Sequence, residues 1–277
     1  MNANSKLPAP KIEQWLRDAT AQLKAADIPT ARLDAELILA HVLKKDRTWL
    51  IAHSDEPLTD ESVLDQAASL LSQRLNRIPL AYLTGHREFY GRNFTVTPDV
   101  LIPRPETEEI IEQLKLLGPK PGQRLIDIGA GSGAIAITAA LEFPDLNVEA
   151  VDVSPSALEI AKQNAGSLHA KVDFYQSDLL ANTKHSYNFI LANLPYVDRV
   201  WERSAETEYE PALALFADDS GLSLIKTCIE QSVHKLTPNG YLLLEADPRQ
   251  FDEIIAFALQ HDFEPVRVNG YTLTLGR

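Results

Sequence analysis

The 277-residue chain has one cysteine, Cys228, so no disulfide can form within it. It contains no apolar run near the ~20 residues that a membrane-spanning helix needs. Its opening stretch, Met-Asn-Ala-Asn-Ser-Lys-Leu-Pro-Ala-Pro, lacks the apolar core of a secretory leader. These absences point to a cytoplasmic protein without a membrane partner. No His-x-x-x-His, Cys-x-x-Cys or Gly-x-Ser-x-Gly occurs and the seven histidines are scattered, so no metal and no serine nucleophile is expected. Positive charge is scarce as well, with 26 Lys and Arg against 39 Asp and Glu and a net charge of −13. Residues 1–85 carry −1 of this and the remainder −12. An acidic part without a basic stripe is a poor fit to nucleic-acid phosphates, so a protein or small-molecule partner is favoured over nucleic acid. What is present is ordinary for a globular chain, 45% hydrophobic and 23% charged, at a length that suits two domains.

Glycine is concentrated where it matters. Arg124-Leu-Ile-Asp-Ile-Gly-Ala-Gly-Ser-Gly-Ala-Ile-Ala-Ile137 runs apolar to a carboxylate, breaks at Gly129, Gly131 and Gly133, and resumes as an apolar helix. Strand, tight loop and helix follow, and the loop lets a nucleotide-sized cofactor approach the backbone around Ala130 and Ser132. Gly129-x-Gly131-x-x-Ala134 with Asp152 about 20 residues on also fits a dinucleotide fingerprint. Two details favour S-adenosylmethionine. The third glycine follows the second by two residues rather than three, and Asp127, expected to point into the same site, would repel a pyrophosphate and suit an ammonium group.

In chain order, Lys11 to Ile28 predicts an amphipathic helix, Ala31–Leu43 a central one, Arg47–Ala52 a short one, and Asp60–Leu75 a fourth capped by Thr59. This all-α domain, residues 1–81, is either a stabilising appendage or a holder of a macromolecular substrate. Residues 82–105 alternate in period two around Gly91-Arg92-Asn93 and predict a β-hairpin linker. The segment Leu101-Ile-Pro-Arg-Pro-Glu-Thr-Glu108 then holds Arg104 and Glu106 between prolines, as a rigid substrate lip or a plain surface turn, and opens a helix to Leu117. Residues 106–277 alternate strand and helix, which predicts an α/β domain: a parallel sheet covered on both faces with ligands at the carboxyl ends of its strands. The last two strands, joined by Asn269-Gly270, read as an antiparallel pair, Asp218-Asp-Ser-Gly221 as a helix cap, and Cys228 as a core residue.

Four strand ends converge on this expected site. Asp127 and the glycines end the first, Asp152 the second, Asp178 the third and Asn193 the fourth. Asp152 is placed to accept from ribose hydroxyls, Asp178 from an adenine amino group, and Leu179 to pack the ring. In Asn193-Leu194-Pro195-Tyr196 the asparagine oxygen and the Leu194 carbonyl can each accept an N–H of a planar conjugated nitrogen, turning its lone pair toward a sulfonium methyl. Pro195 stiffens the turn and Tyr196 offers a face for stacking.

With Leu101-Ile-Pro-Arg-Pro-Glu-Thr-Glu108, Asp-Ile-Gly-Ala-Gly-Ser-Gly133, Asn-Leu-Pro-Tyr196 and Tyr-Glu-Pro-Ala-Leu213 behind a helical module, nearly the whole chain resembles the HemK/PrmC family of peptide chain release factor glutamine methyltransferases. The resemblance implies a seven-stranded class I S-adenosylmethionine-dependent methyltransferase fold. It also implies a release-factor Gly-Gly-Gln glutamine as acceptor and a helical domain that docks the factor. A monomer is the expected state. The chain departs from the family's usual pattern at Leu194, where proline is usual, at Leu179, where an aromatic is frequent, and after Glu245. Alternative acceptors for the same chemistry are a ribosomal-protein glutamine or an adenine amino group; a different class would be a non-enzymatic S-adenosylmethionine- or nucleotide-binding regulator.

Overall fold

The computed structural model describes residues 9–277; residues 1–8, part of the stretch read for a leader, lie outside them. Two compact units form, the first ending at Thr84 and the second spanning Gly85–Arg277.

The first unit is all helix: α1 (Ile12–Ala25), α2 (Ala31–Leu43), α3 (Arg47–Ala52), α4 (Glu61–Leu75) and α5 (Leu80–Thr84). Ile12, Leu16, Ala19 and Leu23 bury one stripe of α1 against Ala35 and Leu39 of α2 and Ala67 and Leu71 of α4. The ion pair of Asp34 and Arg74, 2.7 Å apart and buried on both sides, ties α2 to α4. The cap of α4 is Asp60, whose carboxylate accepts from Ser62 N, rather than the predicted Thr59. Residues 82–84, read as opening the hairpin, close α5 instead, because Thr84 bonds back to Leu80 O.

The second unit begins with a hairpin of β1 (His86–Phe89) and β2 (Arg92–Thr95). Its turn is Tyr90-Gly91, both at positive φ; it starts one residue before the expected Gly91-Arg92-Asn93, and Arg92 and Asn93 open β2. The hairpin leads to α6 (Glu108–Leu117) and then to a seven-stranded sheet in the order β5-β4-β3-β6-β7-β9-β8. Its strands are β3 (Arg124–Ile128), β4 (Asn147–Asp152), β5 (Asp173–Gln176), β6 (Tyr187–Ala192), β7 (Leu236–Glu245), β8 (Glu264–Asn269) and β9 (Thr272–Gly276). The first five run parallel, and β9 turns against β7 and β8. The helices are α7 (Ala134–Glu142), α8 (Pro155–Leu168), α9 (Ala212–Leu215), α10 (Ser223–Ser232) and α11 (Phe251–Leu259).

Strand alternation sorts the side chains to two faces. Ile126 and Ile128 join α10 and α11 on one face, and Leu125 joins α6 and α7 on the other. Residues 134–140 of α7 are buried on every side, which explains why that helix has no polar face. This is the class I methyltransferase architecture, and it places the carboxyl ends of β3 to β6 side by side.

Candidate active site

Those strand ends open into a cavity of about 400 Å3, within the size range of small-molecule and cofactor sites. The glycine loop forms one wall. Gly129 and Ala130 both donate their amides to Val151 O at 2.9 Å, and Gly131 donates to Asp152 Oδ2 at 2.9 Å. The other oxygen of Asp152 accepts from Ser154 N at 2.9 Å, so one carboxylate at the tip of β4 shapes the loop and the start of α8 while lining the cavity. Asp178 is exposed at the rim, and Leu179, buried at φ 46°, stands beside it. Asn193, Leu194 and Pro195 line it too. A Cβ on Gly129 would stand 3.4 Å from Leu194 Cδ2 and 3.6 Å from Asn193 O, so this segment runs beside the glycine loop.

Four expected site residues sit elsewhere. Gly133 does not line the cavity; a Cβ there would press on Ile137 Cδ1 at 2.7 Å and on Ala161 at 3.2 Å, so this glycine lets α7 lie against α8. Asp127 is fully buried beneath the loop, where Oδ2 accepts from Ala136 N at 3.1 Å at the start of α7. Burial pushes its carboxyl up to about 7, the Ala136 bond opposes this, and the Asp152 charge adds to it. Its Oδ1 is left without a partner. Tyr196 turns away from the cavity, packs on the sheet core and donates to Glu245 Oε1 at 3.1 Å. Glu106 is exposed on a short 3-10 turn, and the residue of that turn that lines the cavity is Thr107.

Arg104 lines the cavity, but its guanidinium is engaged by Glu210 at 2.5 Å. The buried Glu210 also accepts from Ile102 N at 3.3 Å, so one carboxylate joins residues 102–104 to residues 210–214, which wall the same cavity. Beneath the Asn193–Tyr196 segment, Gln250 Nε2 donates to Tyr196 O and Ser220 O, both at 2.9 Å. Gly221, at φ 86°, passes so close to Tyr196 O that a Cβ would overlap it. Asp218–Gly221 is therefore a support for that segment rather than a side-chain cap for α10, which has no such cap. Among the described residues no group of His, Cys, Asp and Glu is arranged to hold a metal ion.

The family description "PrmC N-terminal domain" matches residues 14–85, and "Methyltransferase small domain" matches residues 107–208. The release factor glutamine methyltransferase of Escherichia coli is 40% identical over 276 residues, covering 96% of this chain and 99% of that protein. The chain belongs to the release factor glutamine methyltransferase family. It is a methyltransferase. The Koribacter versatilis member is 41% identical over 86% of this chain and 88% of its own, and the Deinococcus radiodurans member 34% over 89% of each. Among solved structures a Pyrococcus furiosus methyltransferase shares the fold, with a TM-score of 0.53 at 18% identity over 74% of this chain and 96% of that one.

Thr107, Glu210, Gly221, Glu245 and Gln250 were not singled out for roles at the site from the sequence. Glu245 carried a readable signal, a carboxylate at the tip of a strand, as in Asp152. The others act through contacts across 25 to 108 residues, which no local pattern marks.

Proposed function

We propose that this family member transfers a methyl group from S-adenosylmethionine to the side-chain amide nitrogen of the glutamine in a release factor's Gly-Gly-Gln motif. The observation that carries the reading is Asn193 at the end of β6, lining the same cavity as the glycine loop beside it. Its Nδ2 donates to Thr107 Oγ1 at 3.0 Å, which leaves Oδ1 as the acceptor for an incoming N–H.

The residues present suit the donor. The cavity-side lone pairs of Asp152 are matched to ribose hydroxyls, Asp178 to an adenine amino group, and Leu179 to its ring, while Asp127 stays behind the loop. Gly129 and Gly131 keep Cβ atoms out of the cradle. S-adenosylmethionine bound there supplies an electrophilic methyl on sulfonium. Asn193 Oδ1 and the Leu194 carbonyl accept the two N–H bonds of the glutamine amide and turn the nitrogen lone pair out of its resonance plane toward the donor. Pro195 limits the motion of that turn. No side chain need remove a proton beforehand, because an alkylated amide nitrogen releases its extra proton readily.

The partner is then a protein, held in part by the helical unit, in the cytoplasm, with the enzyme a monomer and nucleic acid uninvolved. No helix among the described residues is long and apolar enough to cross a membrane, in keeping with that placement. Methyl transfer from labelled S-adenosylmethionine to purified release factor tests the reading. Wild type is expected to label the factor, while Asn193→Ala with intact factor, and wild type with a Gly-Gly-Ala factor, label little. Equal labelling of the Gly-Gly-Ala factor would overturn the glutamine assignment.

A further inference from the structure

The two ends of an asparagine amide have nearly the same shape, so only the neighbours decide which end faces a ligand. At Asn193 those neighbours form a directed chain. The register pairs Ala192 of β6 with Leu244 of β7, which brings Asn193 and Glu245 to adjacent strand ends. Thr107 Oγ1 accepts from Asn193 Nδ2 at 3.0 Å. Thr107 makes no formed hydrogen bond to the buried Glu245 but lies near enough to favour its charged form, so the one proton of the hydroxyl is drawn to that side while the amide donates to a lone pair. Tyr196 OH donates to the same carboxyl at 3.1 Å. Glu245 Oε2 itself has no hydrogen-bond partner.

We infer that Glu245 and Thr107 are positioning residues that fix the Asn193 amide with its oxygen toward the acceptor, and so govern turnover without governing donor binding. The inference rests on the proposed acceptor reading. An ionised carboxylate only accepts, so it orders the chain one way: hydroxyl to carboxylate, amide NH2 to hydroxyl, amide oxygen to the cavity. In the flipped orientation the amide oxygen would compete with Glu245 for the one Thr107 proton, and the amide NH2 would meet the N–H bonds of the acceptor. Burial pushes the Glu245 carboxyl above its ordinary range, and the nearby donors Thr107, Tyr196 and Asn193 counter it; the Glu106 charge works with burial. Those donors favour the ionised form on which the direction of the chain depends.

The test uses the full chain with release factor and labelled S-adenosylmethionine, and the variants Thr107→Val, Thr107→Ser and Glu245→Gln. Thr107→Val and Glu245→Gln are expected to lower kcat about 10- to 100-fold, the loss of one hydrogen bond to a charged group. The Kd for S-adenosylmethionine, from equilibrium binding, should stay within about twofold of wild type, since neither change touches the glycine wall. Thr107→Ser restores the hydroxyl and should return kcat to within about threefold of wild type. Wild-type kcat in Thr107→Val, or a Thr107→Ser enzyme as slow as Thr107→Val, would overturn the inference. If Glu245→Gln fails to fold by circular dichroism, the nearly isosteric Thr107 pair decides alone. A wild-type enzyme that does not label the release-factor glutamine would overturn the acceptor reading and this inference together; a wild type that labels it beside unimpaired variants would overturn the inference only.

Discussion

One added methyl group at position 221 is enough to displace the Asn193–Tyr196 segment. Gly221 combines a positive φ with a backbone approach to Tyr196 O that leaves no room for a Cβ. Gly221→Ala is expected to cost about 2–4 kcal/mol, the sum of left-handed backbone strain and overpacking, and to lower methyl transfer in the protein that remains folded. Thermal unfolding and the labelling assay read both effects. Asp127 acts through pH. Its carboxyl sits up to about 7 in the folded chain, against about 3.9 in an unfolded one, so the folded state holds the proton more tightly. Stability therefore falls as pH rises from about 4 to about 7 and then levels off. Asp127→Asn removes that dependence and should gain about 2–3 kcal/mol on wild type between about pH 5 and about pH 8, measured by denaturant titration without donor.

At the scale of elements, the cavity wall depends on a pair of short segments, one without regular structure and one leading into the single turn of α9. Residues 102–104 and 210–214 are joined by Glu210, whose side chain is only 2% exposed. Arg104→Ala leaves that carboxylate buried without its cation and should cost about 3–5 kcal/mol, with a raised Kd for S-adenosylmethionine. The double change Arg104→Met, Glu210→Gln should be milder than the sum of its parts, which a double-mutant cycle on unfolding midpoints will show. The elements themselves were legible in the sequence, since alternation of strand and helix, the glycine loop and the closing hairpin are written in local spacing. Side-chain direction was less so. Asp127 was expected in the cavity, but it is the fourth of five strand residues and lies under the start of α7, while the next residue, Ile128, lines the cavity. Tyr196 was read as a stacking face, yet the partner that turns it, Glu245, lies 49 residues away. For Arg104 the sequence leaves open a substrate lip or a plain surface turn, because nothing near it in sequence announces Glu210.

At the scale of the molecule, charge and architecture divide together: the helical unit that ends at Thr84 belongs to the nearly neutral part of the chain, and the sheet unit from Gly85 on is strongly acidic. Ile51 on α3 is 68% exposed, with Trp49 of that helix stacked on His53 just past its end. If this unit docks the release factor, Ile51→Asp should raise KM for the factor several-fold while leaving S-adenosylmethionine affinity unchanged, measured by initial rates at varied factor concentration. The clamp of Gln250 on Tyr196 O and Ser220 O has a consequence for how such enzymes can be exchanged or redesigned. The tetrapeptide Asn-Leu-Pro-Tyr is not a portable unit, because its shape is held by a glycine 25 residues downstream of Tyr196 and a glutamine 54 residues downstream. A proline at position 194 would stiffen the turn from within, whereas here the stiffness is borrowed from outside. A graft that carries the four letters into another scaffold without Gly221 and Gln250 would carry the spelling and lose the geometry.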